Sequence, residues 1–353
     1  MKIGQKLIKE NHFMIHVKIV AEHKDSTFEQ GIKDTVLRGA LRAGVGFPYE
    51  CNSGGCGSCK FEIIEGNVEN LWPDAPGLTE RDRRKGYLLA CQCRAVTNLR
   101  IKVRTAPEYV PVITPKPIQA KFVSVHEITH DIREFRFVSD AGANFLPGQY
   151  AMLAIPGVSN PRAYSMSNLG NKGGEWHFQI RHVANGAATN KLFHHLQVGG
   201  EIEIDGPYGL AYLRTDVVRD IVCVAGGSGL APMVSIARGA AQLGLLKTRQ
   251  LHFFYGGRTP RDICGEAFLR DLPGYGERIH FYPVVSLPGD NSDAHWTGET
   301  GFVHDLVRRA FEDSLSNFEF YFAGPPPMTQ TLQEMLMIGY KVPFEQIHFD
   351  RFF

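Results

Sequence analysis

The spacing of apolar residues divides the chain into three regions. In the first, up to about residue 106, runs such as "FMIHVKIV", "KFEIIEGNV" and "LRIKVRT" have the length of strands and end at turn residues. The stretch "DTVLRGALRAG" has helical apolar spacing, with Asp34 as the predicted N-cap and Gly44 as the predicted stop. This region predicts a small α+β domain over residues 13–106.

The middle of the chain begins with a proline-rich segment and continues as short strands. Residues 107–117 contain four prolines, which disfavour regular structure and predict a linker. Strand-like runs separated by turn residues then cover residues 118–213, among them "KFVSVHEI", "QYAMLAI" and "EIEIDGPYG". Several short strands at this spacing predict a β-barrel or a sandwich.

Strands alternate with helices in the last region, residues 214–353. "DIVCVAGG" precedes the helical pattern "LAPMVSIARGAAQLG", and "QLHFFYGG" precedes "EAFLRDL". The strands are apolar along their whole length. This alternation predicts a parallel sheet that is covered by helices on both faces.

Composition and charge exclude several classes of protein. The chain has 353 residues, 43% of them hydrophobic, and its 38 basic and 37 acidic side chains leave a formal net charge of +1. This balance predicts no nucleic-acid partner. Glycines and a proline interrupt the most apolar stretch, residues 221–246, so we expect no membrane span. The N-terminus lacks the pattern of a secretory signal, and we expect a cytoplasmic protein.

The seven cysteines are more informative about function than the net charge is. An odd number without a secretory signal argues against a disulfide framework. Cys223 and Cys264 lie alone in apolar runs and are predicted to be packing residues. The other five fall between residues 51 and 93, and four of them follow the C-x4-C-x2-C…C spacing of plant-type [2Fe–2S] proteins. These four predicted ligands are Cys51, Cys56, Cys59 and Cys91.

The loop "CNSGGCGSCK" suits this chemistry. Iron requires thiolates, and the glycines at 54, 55 and 57 allow the backbone to bend sharply and to direct N–H groups at sulfur. Two alternatives remain: a structural zinc site that uses Cys93 beside three of the other thiols, or a set of free core thiols. Cys93 is also an alternative fourth iron ligand, although the apolar run "YLLA" leads directly to Cys91.

Four short segments of the middle region resemble the flavin-binding barrel of the ferredoxin–NADP reductase superfamily. In chain order they are "FLPGQY", "RAYSMSN", "NGAATNKL" and "DGPYG". The resemblance implies that Arg162 pairs with the FAD pyrophosphate, that Tyr164 stacks on the flavin ring and that Ser165 donates near its N5. It also implies a phosphate site at the start of a helix, formed by Gly186, Ala187 and Thr189.

The glycines of the last region resemble the nicotinamide-binding turn of the same superfamily. "VCVAGGSGLAPMVS" is not G-x-G-x-x-G, but it matches the superfamily pattern G-G-x-G-x-x-P. The physical reason is shared, because glycines allow a pyrophosphate to approach a helix N-terminus closely. The predicted contacts are Gly227, Ser228 and Gly229.

Two further strand ends and the C-terminus complete the predicted nucleotide site. In "YFAGPPP" the superfamily usually has Cys where this chain has Ala323, so the hydride step is expected to be altered but not abolished. Gly324 and Pro325 follow beside the nicotinamide. Arg258 is a candidate for contacting a 2′-phosphate, yet the resemblance favours NADH. The terminal Phe353 either closes the last strand or covers the flavin.

Taken together, the three regions resemble the reductase components of bacterial multicomponent oxygenases, most closely the toluene-4-monooxygenase type with a soluble di-iron hydroxylase. The resemblance implies a β-grasp ferredoxin domain (13–106), an antiparallel β-barrel FAD domain (118–213) and a Rossmann-like nicotinamide domain (214–353). It implies an NADH–ferredoxin oxidoreductase of aromatic hydrocarbon catabolism, with electrons passing from NADH to FAD to the [2Fe–2S] cluster. A monomer that reduces a Rieske-type ferredoxin or the di-iron hydroxylase is expected.

Other functions fit parts of the same pattern. A reductase of a ring-hydroxylating dioxygenase would share every motif and differ in its acceptor. A zinc-stabilised sensor of pyridine nucleotides would bind NADH without reducing an acceptor. A stand-alone flavin reductase would need no tethered cluster.

Overall fold

The part of the chain described by the computed structural model, residues 15–20, 25–289, 296–312 and 314–352, divides into two units, residues 1–111 and 112–353. The first unit combines short strands with two α-helices within its described residues. Its elements are β1 (Ile15–Val20), β2 (Ser26–Gln30), α1 (Val36–Arg42), β3 (Lys60–Glu65), β4 (Val68–Asn70), α2 (Glu80–Arg84), β5 (Leu88–Leu89), β6 (Cys93–Ala95) and β7 (Leu99–Lys102).

The first unit is a mixed sheet covered by a helix. The strand order is β2-β1-β7-β3-β5, with β1 parallel to β7 and antiparallel to β2, and β4 pairs with β6 in a separate ribbon. Val17 and Ile19 of β1 are fully buried, as are Leu37 and Leu41 of α1. This burial holds the helix on the sheet and gives the predicted β-grasp fold.

The predicted cap of α1 was wrong by one residue. Thr35 is the N-cap, and its side chain accepts from the backbone N–H of Arg38 at 3.3 Å. Asp34 instead binds the guanidinium of Arg42, with an Oδ1–Nη2 distance of 2.8 Å, so its carboxylate is engaged by the far end of the helix. The predicted stop is confirmed, because Gly44 follows the helix with a φ of +73°.

The second unit begins with an antiparallel sheet. Its strand β8 starts at Lys116, two residues earlier than the predicted domain boundary. The elements of this part are β8 (Lys116–Glu127), β9 (Ile132–Val138), β10 (Tyr150–Ala154), β11 (Arg162–Ser165), β12 (Glu175–Arg181), α3 (Ala187–His194) and β13 (Glu201–Tyr208).

This sheet nearly closes into a barrel. The strand order is β11-β10-β13-β8-β9-β12, and an antiparallel bridge between Met166 and Phe178 brings the two edges together. Phe137 and Phe178, both fully buried, fill the interior with rings whose centroids lie 6.0 Å apart. Of the two predicted architectures, a barrel and a sandwich, the structure therefore has the barrel.

Parallel strands and helices form the rest of the second unit. These elements are β14 (Asp220–Gly226), α4 (Leu230–Gln242), β15 (Leu251–Gly257), α5 (Glu266–Arg270), β16 (Ile279–Val285), β17 (Glu299–Thr300), α6 (Val303–Phe311), β18 (Phe318–Gly324), α7 (Pro326–Glu334) and β19 (Ile347–Arg351). The strand order is β17-β16-β15-β14-β18-β19, and every pair is parallel.

Burial explains why these strands are apolar throughout. Every residue of β18 is buried, as are all residues of β14 except its first, because helices cover both faces of the sheet. Helix α4 also holds the sheet against the barrel. The hydroxyl of Ser235 donates to the carbonyl of Asn168 at 2.8 Å, and Arg238 donates to the carbonyl of Ser167 at 2.9 Å.

Within the described residues, no helix has both the length and the apolar character needed to cross a membrane.

Candidate functional site

Backbone geometry brings three predicted ligands together in the cluster loop, residues 51–59, between α1 and β3. Asn52, Gly54 and Gly57 have φ values of +51°, +90° and +77°, which fold the loop tightly. A Cβ on Gly57 would lie 2.4 Å from the carbonyl oxygen of Gly77, so this position requires glycine for close packing as well as for conformation.

Hydrogen bonds in the cluster loop converge on sulfur. The Sγ atoms of Cys51 and Cys56 lie 3.3 Å apart. The backbone N–H groups of Ser53 and Cys56 donate to Sγ of Cys51 at 3.5 and 3.4 Å, and that of Ser58 donates to Sγ of Cys56 at 3.4 Å. The hydrogen bond with Cys56 lowers the pKa of Cys51 to about 5 and raises the pKa of Cys56. The loop thus favours a thiolate.

The structure places Cys91, the predicted fourth ligand, beside the cluster loop. The backbone N–H of Ala90 donates to the carbonyl of Cys59 at 2.9 Å and places the next residue beside the loop. A hydrogen bond with the Cys91 thiol, together with burial, raises the pKa of Cys59 well above its ordinary value. Cys93 lies in β6, fully buried, and burial raises the pKa of its thiol to about 12. Its environment is that of a packing residue.

The polar groups of the loop fit a bound iron–sulfur cluster. All four predicted ligands are free cysteines, and iron–sulfur clusters are held by cysteine thiolates. The carboxamide of Asn52 is buried, and among the described residues neither its Nδ2 nor its Oδ1 has a hydrogen-bond partner. A buried unpaired amide is costly, and sulfur acceptors that the polypeptide does not supply would satisfy its N–H groups.

Strand β11 presents the predicted flavin contacts in alternation. Arg162 and Tyr164 point to one face of the strand, and Ser165, which is 6% exposed, points to the other. Burial raises the pKa of Tyr164 to about 12, so its ring is neutral and suited to stacking. Nη1 of Arg162 donates to the carbonyls of Ser159 and Asn160 at 3.1 and 2.8 Å, which hold the guanidinium on its own loop.

The predicted phosphate site opens helix α3. Gly186 is its N-cap, and no side chain caps the first N–H groups, so these donors suit an anion. Thr189 does not face them. Its hydroxyl accepts from the N–H of Val183 and lies 3.2 Å from the Val183 carbonyl, closing the preceding loop. Ala187 lies exposed in the first turn.

A cavity of about 540 Å³, called here the nucleotide cavity, lies between the barrel and the parallel sheet. Three of the predicted nucleotide contacts, Gly227, Arg258 and Pro325, line it. Phe302, 62% exposed, stacks at 10° on His304 at its rim. The predicted Phe353 lies outside the described residues.

The glycine turn after β14 packs directly against the end of β18. A Cβ on Gly229 would lie 2.0 Å from the carbonyl oxygen of Ala323, so only glycine allows this approach. Gly227 has a φ of +57°, and Ser228 is half-buried between the two glycines. The side chain of Ala323 is fully buried in the core, and the next residue, Gly324, accepts the N–H of Phe352.

Sequence reasoning missed a set of charged residues at the cavity. Arg181, at the end of β12, lies 3.5 Å (Nη1) from a Cβ built on Gly227, and its Nε lies 2.6 Å from Oδ2 of Asp131. Asp262 lies opposite, 3.7 Å (Oδ1) from Nε2 of His130. These residues come from three segments far apart in the chain, so no local pattern marks them. A cation next to a glycine turn suits a pyrophosphate.

Cys264 was predicted to be a packing residue, and it does pack against the core of the parallel sheet, although it is only partly buried. Its thiol donates to the hydroxyl of Tyr255 at 3.2 Å, and that hydroxyl donates to the carbonyl of Gly227 at 3.2 Å. Burial raises the pKa of Cys264 to about 11, so the thiol stays protonated. Cys223, by contrast, is fully buried in the core as predicted.

Comparison with protein-family models assigns each region. Residues 19–96 match a 2Fe-2S iron–sulfur cluster binding domain, residues 119–212 an oxidoreductase FAD-binding domain and residues 223–334 an oxidoreductase NAD-binding domain. The three matches follow one another in the order of the domain types predicted from the sequence. The first match replaces the zinc alternative with an iron–sulfur cluster.

Similar proteins cover nearly the whole chain. The ferredoxin–NAD(P)(+) reductase CarAd of Metapseudomonas resinovorans is 43% identical, covering 92% of this chain and 96% of that protein. The ferredoxin–NAD(+) reductase component of the alkene monooxygenase system of Xanthobacter autotrophicus is 40% identical, covering 90% and 95%. A solved ferredoxin reductase in carbazole 1,9a-dioxygenase superposes with a TM-score of 0.85 at 37% identity, covering 97% and 100%.

Proposed function

Because the chain belongs to the ferredoxin–NAD(P)(+) reductase family of iron–sulfur flavoproteins, we propose that it takes electrons from NADH and passes them singly to the redox partner of an oxygenase. Bound FAD supplies hydride acceptance, and the bound [2Fe–2S] cluster supplies one-electron transfer. The observation that carries the proposal is the presence, in one chain, of a four-thiol site and a cavity that joins a flavin-type barrel to a nucleotide-type sheet.

Two separate groups of residues in the second unit would hold the two nucleotides. Arg162 and the N-terminus of α3 offer positive charge to the FAD pyrophosphate, and Tyr164 offers a neutral ring to the flavin. Arg181 and the turn at Gly227 offer the same charge to the pyrophosphate of NADH. Ala323 leaves no thiol at the end of β18, so orientation of the nicotinamide would depend on backbone contacts.

Charge at the nucleotide cavity supports NADH over NADPH. Arg258, which follows β15, is the candidate for a 2′-phosphate, but its side chain is 63% exposed and its Nε lies 3.9 Å from the carboxylate of Asp262. That carboxylate also accepts the backbone N–H of Thr259 at 2.8 Å, which holds it in place. A fixed negative charge beside Arg258 would oppose a second negative group on the ribose.

We propose a Rieske-type ferredoxin of a toluene-4-monooxygenase-type system as the acceptor, with direct reduction of a di-iron hydroxylase as the variant. The similarity to an alkene monooxygenase reductase component supports this. Plant-type clusters have reduction potentials of about −400 mV, and Rieske centres have potentials from about −150 mV upward. Electron transfer from the cluster to a Rieske centre is therefore downhill. The similarity to a carbazole dioxygenase reductase supports a second candidate, an acceptor of a ring-hydroxylating dioxygenase.

A visible spectrum before and after anaerobic NADH tests the core of the proposal. A flavin band over broad iron–sulfur absorbance, both bleached by NADH, is expected. A protein that stays colourless after reconstitution with FAD, iron and sulfide would reject the function. Gel filtration with light scattering tests the proposed monomer, and cell fractionation tests the proposed cytoplasmic location.

Acceptor assays separate the candidate partners. The NADH-reduced protein is mixed in turn with a purified Rieske-type ferredoxin, a di-iron hydroxylase and the terminal component of a ring-hydroxylating dioxygenase. Fast reduction of the first and slow reduction of the other two is expected. Fast direct reduction of either oxygenase component would replace the Rieske-type intermediary.

A further inference from the structure

We propose that the side-chain amide of Gln92 raises the reduction potential of the cluster by donating a hydrogen bond to the ligand sulfur of Cys91. Nε2 of Gln92 lies 3.6 Å from Sγ of Cys91, a distance that suits an N–H···S contact because sulfur is larger than oxygen. Gln92 is buried, with 6% of its surface exposed. The proposal rests on the iron–sulfur function above and adds a residue that acts on the ligand without binding iron.

The position of Gln92 is set by its neighbours on both sides. Its carbonyl accepts the N–H of Leu71 at 2.8 Å, which ties its backbone to the segment before Trp72. A Cβ on Gly54 would lie 3.3 Å from Cγ of Gln92 and 3.1 Å from the ring of Trp72. The glycine therefore leaves the space in which the amide side chain and the indole pack over the cluster loop.

Elementary electrostatics gives the direction of the effect. Reduction adds one negative charge to a cluster, and part of that charge resides on the ligand sulfurs. An N–H donor stabilises the more negative state, so it favours reduction. The contact is nearly excluded from water, which strengthens it.

Gln92 differs from the backbone donors to the ligand sulfurs. The N–H groups of Ser53, Cys56 and Ser58 that donate to Cys51 and Cys56 belong to the main chain, which every residue type except proline supplies. Gln92 is a side-chain donor, so its contribution depends on the residue type at this position. A substitution can therefore remove this one hydrogen bond and leave the loop backbone unchanged.

Two substitutions test the proposal in the full chain loaded with FAD and cluster. Gln92→Leu removes the donor at similar volume, and Gln92→Glu replaces it with a carboxylate beside the sulfur. The reduction potential should be highest in the wild type, lower in Gln92→Leu and lowest in Gln92→Glu. For the Leu variant we expect up to a tenfold loss in the reduction equilibrium, which for one electron is about 59 mV. A mediated redox titration followed by EPR of the reduced cluster measures it.

Gln30→Leu is the matched control. Gln30 is also a buried glutamine of the first unit, 1% exposed, but its amide binds the backbone of Ala95, accepting its N–H at 3.2 Å. The two Leu variants should share a loss of stability, and Gln92→Leu alone should shift the potential. If Gln92→Leu does not fold, the isosteric Gln92→Glu carries the test.

Three results would overturn the proposal. They are an unchanged potential in the Gln92 variants, a higher potential in either of them, or an equal shift in Gln30→Leu. The failure of the underlying function is distinguishable, because a wild-type protein without iron–sulfur absorbance would reject both at once.

Discussion

The cluster loop and the nucleotide cavity bring their functional groups together in different ways. In the loop, three thiols within nine residues are brought together by local backbone turns, and the charge they carry is tuned by N–H groups of the same segment. In the cavity, the charged groups come from segments that are more than one hundred residues apart, such as those of Asp131 and Asp262. The cluster loop therefore depends on local backbone conformation, and the nucleotide cavity depends on the topology of the fold.

This difference predicts two kinds of sensitivity. A change inside the cluster loop should abolish one cofactor and leave the second unit intact, because the loop is built within its own unit. A change at the cavity should act through packing of the parallel sheet as well as through charge. Substitutions in the loop and in the cavity separate the two kinds of sensitivity.

Loss of one cysteine ligand should abolish the iron–sulfur site and leave the flavin site intact. We expect Cys56→Ser to lose iron–sulfur absorbance and cluster-dependent reduction of cytochrome c to background, because a [2Fe–2S] cluster needs four ligands. NADH-driven reduction of ferricyanide should persist through the flavin. Cys93→Ser is the matched control and should keep its cluster. Loss of both activities in a folded, FAD-replete Cys56→Ser protein would contradict independent sites.

Removal of the predicted pyrophosphate contact should weaken FAD binding. In Arg162→Ala, we expect FAD to be lost during purification, because a charge-assisted contact is worth roughly 1.5–3 kcal/mol, about 10- to 100-fold in affinity. The flavin-to-protein ratio measures the effect. Lys121→Ala, in an exposed pair of the same barrel, should purify with full flavin. A full complement of FAD in Arg162→Ala would reject the assignment.

Charge in the cavity should affect binding of NADH more than turnover. We expect Arg181→Gln to raise the KM for NADH about tenfold with a smaller change in kcat, because a cation beside Gly227 would be lost. Steady-state reduction of ferricyanide measures both constants. Arg133→Gln is the control, since Arg133 pairs with Glu127 and does not line the cavity. An unchanged KM in Arg181→Gln would remove this residue from the site.

Packing at the glycine turn should matter without any change of charge. Gly229→Ala places a methyl group against the carbonyl of Ala323, and we expect a loss of about 1–3 kcal/mol in stability together with weaker NADH binding. Thermal unfolding and the KM for NADH measure the two effects. Gly339→Ala, where an added Cβ meets nothing within 4 Å, should be nearly neutral. Equal effects in both variants would reject the packing argument.

Acid should weaken the parallel sheet of the second unit. Burial, with the neighbouring His280, lowers the pKa of His252 from 6.5 to about 4. The unfolded chain therefore binds more protons between about pH 6.5 and 4, so this part of the stability is complete above pH 6.5 and falls as the pH is lowered through that window. We expect the melting temperature of the second unit to fall by a few degrees.

Replacement of the histidine checks the assignment of this effect. His252→Phe suits the aromatic surroundings formed by the rings of His280, Tyr282 and Phe311, and it should reduce the pH dependence. His126→Phe, at an exposed position of β8, should leave it unchanged. The same slope in wild type and His252→Phe would assign the acid sensitivity to other groups.

Features that arise from local chemistry could be predicted from the amino-acid sequence alone. The spacing of the four cysteines specifies the iron–sulfur ligand type, because thiolates on a tight loop have few other uses, and the family match confirms the cluster. Apolar periodicity likewise predicted three domain types in the correct order, since strand and helix patterns follow from which faces are buried. Even the error at α1 was local, with Thr35 in place of Asp34 as the cap.

Contacts between distant segments, by contrast, became visible only in the folded structure. It placed Arg181 beside Gly227, paired Arg181 with Asp131 and brought His130 to Asp262. None of these contacts has a sequence pattern, because strand order and loop packing bring together residues whose separation along the chain carries no information about their separation in space.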